Sequence, residues 1–217
     1  MKRIAAFFLL LCLFSANIAY AQEPYGIFDD RKMLEGFADK YKNYTKQTLM
    51  AMMEDDNLTG FRVAAAIEVF RKKYAATLIS DEKKNVEKIL MRRLKRTNSP
   101  FVQVEIMNTL TFIDRYEYFK SMVPALIQKL DHYNDAVNAL AFETLNNIIQ
   151  SGQDRPREAR IVFNTLRKVL FLSRNRLEDV IDPNSRVGQK LKLLRWSIKV
   201  LGNQELKKLP KEVINLL

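Results

Sequence analysis

The sequence predicts an all-α fold. Apolar residues recur three and four positions apart through most of the 217 residues, and this spacing places them on one face of a helix. Glycine and proline are scarce, with six of each, and no segment shows the alternating pattern of β-branched residues typical of a strand. Polar segments rich in Ser, Asp, Asn and Pro separate the apolar series, and such residues mark where helices begin and end.

The N-terminus has the three parts of a secretory signal peptide. Lys2 and Arg3 precede an apolar run over residues 4–14, and Ala19 and Ala21 form a small-x-small cleavage site. The run is shorter than the roughly 20 apolar residues that span a bilayer. We therefore expect residues 1–21 to be removed as a signal peptide rather than kept as an anchor, with no transmembrane segment in the mature chain.

Cleavage would also remove Cys12, the single cysteine of the chain. Cys12 follows a leucine inside the apolar run, whereas a lipidated cysteine follows a small residue, so we expect no lipid anchor. Without disulfides, stability must come from burial of apolar side chains. Loss of Lys2 and Arg3 lowers the formal charge from +11 to +9, which indicates an anionic partner or only solubility. We expect an exported bacterial protein of the periplasm or cell envelope.

The first predicted unit of the mature chain covers residues 22–57. Its apolar series predicts one long amphipathic helix or a helical pair between Asp29 and Asp55. The polar segment that follows ends it. We interpret the unit as either an N-terminal helical cap or a degenerate repeat. The series consists of Leu34, Phe37, Tyr41, Tyr44, Leu49 and Met52.

Three later stretches share one apolar pattern. When they are aligned on Phe61, Val102 and Val137, apolar residues recur four and eight positions later in each copy. The copies are 41 and 35 residues apart, close to the period of helix-pair repeats. We expect the aligned positions to form the repeat core: Phe61, Ala65, Val69, Val102, Ile106, Leu110, Val137, Ala141, Leu145 and Ile148.

This pattern resembles the first helix of HEAT and armadillo-like repeats, whose consensus runs Asp-x-x-Val-Arg-x-x-Ala-x-x-x-Leu-x-x-Ile. Pro100 and Asn134 occupy positions that are frequent in that family, and Arg62 matches its arginine. Gln103 and Asn138 replace the arginine in the later copies. The resemblance covers residues 58–217 and is clearest over 58–151. It implies a right-handed α-solenoid of about three to four helix pairs, with helical caps at both ends.

The intervening segments fit the second helices of these pairs. We expect them near residues 81–96, 116–130 and 156–172. The apolar series that starts at Val187 predicts another first helix, 50 residues after Val137, so we expect an insertion around residues 173–183. Residues 206–217 would form a short C-terminal capping helix. In solenoids of this family the second helices usually line the concave binding surface.

No catalytic or metal-binding motif is present in the sequence. His132 is the single histidine, and without cysteines a metal site or nucleophilic triad would need carboxylates to complete it. Asp131 and Asp135 lie nearby, but helix termini select the same residues. We interpret His132 as a turn residue. There is no phosphate loop, nucleophile elbow or zinc-protease motif, so we expect no enzymatic activity, no cofactor and no metal.

Basic side chains are the chemical feature that suggests a binding surface. One stripe follows helical spacing on the second helix of the first pair, and a second dense region lies near residue 160. A solvated helix face is the alternative interpretation. The proposed anion-binding residues are Lys84, Lys88, Arg92, Lys95, Arg157, Arg160 and Arg167.

The leading hypothesis from the sequence is a non-enzymatic interaction scaffold. It would bind a protein segment or an anionic envelope component through electrostatic steering and an extended surface. The alternative is a nucleic-acid-binding protein, because the basic helical-repeat pattern also resembles that of helical-repeat DNA glycosylases. The export signal disfavours a nucleic-acid partner.

Overall fold

A computed structural model describes residues 30–150, 155–174, 177 and 182–217. The predicted signal peptide with Ala19 and Ala21 lies outside the described residues, as does most of the expected insertion around residues 173–183. The chain divides into two compact units, residues 1–33 and 34–217. Of the first unit, only residues 30–33 are described, and they form the first turn of a helix.

The described residues form helices joined by turns and contain no strand, which confirms the all-α prediction. Within the described ranges, short 3-10 helices cover Ala75–Thr77 and Asn203–Lys208. The α-helices of the described ranges are α1 (Asp30–Tyr41), α2 (Lys46–Glu54), α3 (Gly60–Tyr74), α4 (Ser80–Arg96), α5 (Pro100–Ile113), α6 (Arg115–Lys129), α7 (Asp135–Gln150), α8 (Pro156–Ser173), α9 (Arg186–Leu201) and α10 (Lys211–Ile214). None of these helices has the length and apolar character needed to cross a bilayer.

The N-terminal apolar series forms a helical pair. Helix α1 ends at Tyr41, and Thr45 starts α2 by accepting a hydrogen bond from the Thr48 backbone N–H at 3.2 Å. Tyr44 belongs to the predicted apolar series but lies in the break, where 38% of its surface is exposed. Its ring contacts Tyr41 at 5.0 Å between centroids. The Thr45 hydroxyl cap therefore sets the position where the second helix begins, although the apolar spacing continues through the break between the two helices.

Side-chain caps also set the starts of later helices. Asp114 accepts from the Glu117 backbone N–H at 3.1 Å before α6. Asn134 accepts from the Ala136 N–H at 3.0 Å before α7. Ser185 accepts from the Gly188 N–H at 3.0 Å before α9. These oxygens satisfy backbone donors that have no partner within the first helical turn.

The C-terminal segment does not form the single capping helix that the sequence predicts. The 3-10 helix Asn203–Lys208 and helix α10 are separate, and Pro210 stands between them. Proline has no backbone N–H and its ring hinders the preceding turn, so a continuous helix cannot pass through this position without loss of a hydrogen bond.

The helices pack in an alternating order. In the odd-numbered series, α3 contacts α5, α5 contacts α7, and α7 contacts α9. Among the even-numbered helices, α2 contacts α4, and α6 contacts α8. Contacts of α2 with α3, of α5 with α4 and α6, of α6 with α7, and of α8 with α9 join the two series.

The buried side chains between the helices include most of the aligned repeat positions. Phe61 is half-buried, and its ring lies 5.0 Å from that of Phe101. The other aligned positions, from Ala65 to Ile148, are buried. A methyl group at Gly60 would lie 2.5 Å from Ser99 Oγ, so the missing side chain lets the starts of α3 and α5 approach closely.

Candidate binding surface

Helix α4 presents one apolar face and one basic face. Val86, Ile89 and Leu90 are buried against neighbouring helices, and this packing fixes the rotation of the helix. The predicted basic stripe therefore points to solvent: Lys84, Lys88, Arg92 and Lys95 are all exposed.

Carboxylates at the end of α2 hold the arginines of α4. Arg92 Nη1 lies 3.2 Å from Glu54 Oε1. Arg93 is buried, and its guanidinium donates to Asp56 and to the Asp55 carbonyl oxygen. Arg96 Nη1 lies 3.5 Å from the other oxygen of Asp56. These pairs join α4 to the end of α2 and to the turn after it, so all three guanidinium groups have carboxylate partners within the protein.

The lysines of the same helix lack such partners. Within the described part of the chain, no carboxylate lies within ion-pair distance of Lys84, Lys88 or Lys95. Each ammonium group therefore keeps its three donors available to solvent or to a ligand. We call these three residues the α4 lysine surface.

A depression of about 410 Å³ borders this surface. Met91 contributes a half-buried thioether side chain to its lining. Such a site can hold an anionic group while an apolar side chain of the ligand packs on the methionine. The lining consists of Lys88, Met91, Arg92, Lys95 and Arg96.

The basic residues predicted near residue 160 lie on α8 and do not act as one group. Arg157 is exposed. Arg160 Nη1 lies 2.7 Å from Glu205 Oε2, and Lys208 lies 2.8 Å from the same oxygen. A hydrogen bond from Arg160, and to a smaller extent one from Lys208, holds the pKa of the Glu205 carboxyl below its ordinary value. Arg167 is half-buried and borders a separate depression.

His132 lies in the turn between α6 and α7. Its Nδ1 accepts a hydrogen bond from the Asn134 backbone N–H at 3.1 Å, and its ring stacks on that of Tyr133 at 4.5 Å. In the described part of the chain, no three His, Cys, Asp or Glu side chains are grouped so that they could hold a metal ion.

Buried polar side chains form pairs between successive odd-numbered helices, which the sequence did not predict. Glu105 is 1% exposed, and its Oε2 lies 3.0 Å from Arg71 Nη2 across α3 and α5. Asn138 and Gln189 exchange two side-chain hydrogen bonds of 2.9 Å across α7 and α9. The signal for the first pair was a single carboxylate inside an otherwise uncharged helix, because buried carboxylates are nearly always paired.

Glu105 gives a prediction for the pH dependence of stability. Burial raises the pKa of this carboxyl above its ordinary value of 4.5, and Arg71 offsets only part of the shift. The folded state therefore holds the proton more tightly than the unfolded state does. The stabilising contribution of this group is fully present below the unfolded pKa and is lost as the pH rises through the folded pKa.

We expect Glu105→Gln to remove this component. Relative to the wild-type protein, the variant should gain free energy of unfolding as the pH rises above the ordinary carboxyl pKa of 4.5, because only the wild type must ionise a buried carboxyl. Urea denaturation of both proteins at several pH values measures the difference. If the wild type instead gains stability relative to the variant as the pH rises, Arg71 outweighs burial.

No protein-family model, curated protein or solved structure matches this chain.

Proposed function

We propose that the protein is an exported, non-enzymatic scaffold that binds an acidic segment of a protein partner on the α4 lysine surface. The observation that carries this proposal is the contrast within one helix. The arginines of α4 are engaged by the acidic end of α2, whereas Lys84, Lys88 and Lys95 are exposed and have no carboxylate partner in the described ranges.

The architecture that we propose for this scaffold is a right-handed, HEAT-like α-solenoid over residues 58–217. The unbroken contacts along the odd-numbered helices from α3 to α9 support it, because stacked helix pairs bury their apolar faces against the same helix of the next pair. Helix α2 contacts both α3 and α4, as the second helix of a preceding pair would. This contact favours a degenerate first repeat over a simple cap for residues 22–57.

Equivalent side chains in two aligned copies make equivalent contacts. Gln103 Nε2 donates to the Thr97 carbonyl oxygen at 3.1 Å, and Asn138 Nδ2 donates to the Leu130 carbonyl oxygen at 2.6 Å. Both acceptors lie immediately after an even-numbered helix. Each amide therefore ties the start of an odd-numbered helix to the end of the helix before it. This recurrence supports the alignment of the copies, although neither residue is the arginine of the family consensus.

The binding mechanism that we propose is electrostatic steering followed by local contact. Clustered lysines raise the encounter rate with an acidic segment, and the neighbouring depression gives an apolar side chain a place to pack beside Met91. A partner held mainly by such surface charges would bind weakly at high ionic strength.

The combined substitution Lys84→Glu and Lys88→Glu tests this function. We expect a photoreactive amino acid at position 91 to form adducts with a partner protein in intact cells, and the double charge reversal to lower their yield at least about tenfold, since two attractions become repulsions. The melting temperature should change by less than about 2 °C, because neither lysine has a structural partner in the described ranges.

The matched control is Lys207→Glu with Lys211→Glu. These lysines are also exposed, are also four positions apart, and give the same change in net charge. The control should leave the adduct yield unchanged. Equal losses in the two double variants would show only a dependence on net charge, and adducts with nucleic acid instead of protein would contradict the proposed partner class.

A further inference from the structure

Two consecutive apolar side chains protrude at the end of α8. Phe171 is 50% exposed and Leu172 is 84% exposed. Among the described residues, this is the only place where two neighbouring large hydrophobic side chains are both exposed. Apolar area of this kind is favourable to remove from water, and a contiguous exposed apolar patch bordered by charged residues is typical of interaction sites.

Cationic side chains surround this apolar pair. Arg167 and Lys168 precede Phe171 and Leu172 by four positions each, so they lie one helical turn away on the same face. Lys208 reaches the same depression from the 3-10 helix, and these five residues line about 520 Å³. Arg174 places its guanidinium 4.1 Å from the centre of the Phe171 ring.

The two cations of α8 in this depression are available for a ligand. Lys208 is engaged by Glu205, but no carboxylate in the described segments lies within ion-pair distance of Arg167 or Lys168. Apolar side chains near the helix end with cations one turn behind them match the order of acyl chains and headgroups at an anionic membrane surface.

We propose that Arg167, Lys168, Phe171, Leu172 and Lys208, which we call the α8 patch, dock the protein on a bilayer that contains anionic lipid. Phe171 and Leu172 enter the boundary between headgroups and acyl chains. Arg167 and Lys168 lay their apolar stems along that boundary and bring their charges to the lipid phosphates. The patch shares no residue with the α4 lysine surface, so the inference does not depend on the proposed protein partner.

Cosedimentation of the full chain with vesicles tests this docking. We expect binding to phosphatidylglycerol vesicles and much weaker binding to phosphatidylcholine vesicles. Phe171→Ser with Leu172→Ser should lower the partition coefficient at least about tenfold, because two side chains lose favourable burial. Arg167→Gln with Lys168→Gln should lower it as well and should reduce its dependence on salt, since two headgroup contacts are removed.

The matched control for the apolar pair is Ile79→Ser with Phe112→Ser, which removes two exposed apolar side chains elsewhere in the molecule. This control should bind vesicles as the wild type does. The proposal is overturned if the patch variants bind like the wild type or if both lipid compositions bind equally. It is also overturned if Lys84→Glu with Lys88→Glu abolishes vesicle binding while the patch variants do not. Binding of soluble short-chain phospholipid monomers without binding to vesicles would contradict docking on a bilayer.

Discussion

Leu145→Asp should unfold the protein. Leu145 is fully buried in α7, and this helix packs against α5, α6 and α9. The substitution removes about 1.5–3 kcal/mol of apolar burial and adds the several kcal/mol that an unpaired buried carboxylate costs. The total is comparable to the roughly 5–15 kcal/mol that stabilises a whole domain.

Circular dichroism with thermal melting measures this effect. We expect the Leu145→Asp variant to lack a cooperative melting transition. The matched control is Asn147→Asp, which places the same carboxylate on an exposed position of the same helix and should melt within a few degrees of the wild type. A normal melt for Leu145→Asp would mean that α7 does not pack as described.

Gly188→Ala should destabilise the start of α9. A methyl group at Gly188 would lie 2.2 Å from the carbonyl oxygen of Asp182 and 2.6 Å from that of Pro183. Both neighbours are backbone atoms, which cannot rotate away, so the turn before α9 must move. Overpacking of this kind costs about 1–3 kcal/mol, and we expect the melting temperature to fall by about 2–4 °C for each kcal/mol.

Gly36→Ala is the control for the same substitution. Gly36 lies inside α1, and a methyl group there meets no atom within 4 Å. Alanine has a higher helix propensity than glycine, so this variant should gain up to about 1 kcal/mol. Opposite signs for the two variants would support the close approach at Gly188. Equal gains in stability would contradict it.

The helices were largely predictable because their apolar series are strong and their ends carry recognisable caps. The break at Tyr44 was not located, since the apolar spacing passes through it and only the Thr45 cap interrupts the helix. The separation of the C-terminal helices at Pro210 was missed for a similar reason. In both places a single residue ends a helix although the apolar spacing continues beyond it.

The candidate surface was predictable only in part. The exposure of Lys88 follows from local spacing, because the buried residues of α4 lie on the opposite face. The carboxylate partners of Arg92 and Arg160 are Glu54 and Glu205, which are distant in the sequence. The spacing of residues within one helix cannot predict such pairs. The exposure of Leu172 could not be predicted either, because this residue lies in the same apolar run as the buried Leu170.

Photocrosslinking in intact cells shows whether the α4 lysine surface binds a protein partner. A photoreactive amino acid at position 91, in the depression beside the α4 lysine surface, should form adducts with a protein partner of the exported fraction. The same amino acid at position 207 should not. Equal adducts from both positions would contradict a binding site at the α4 lysine surface. A cytoplasmic protein with its first 21 residues intact that crosslinks to nucleic acid would contradict both export and a protein partner.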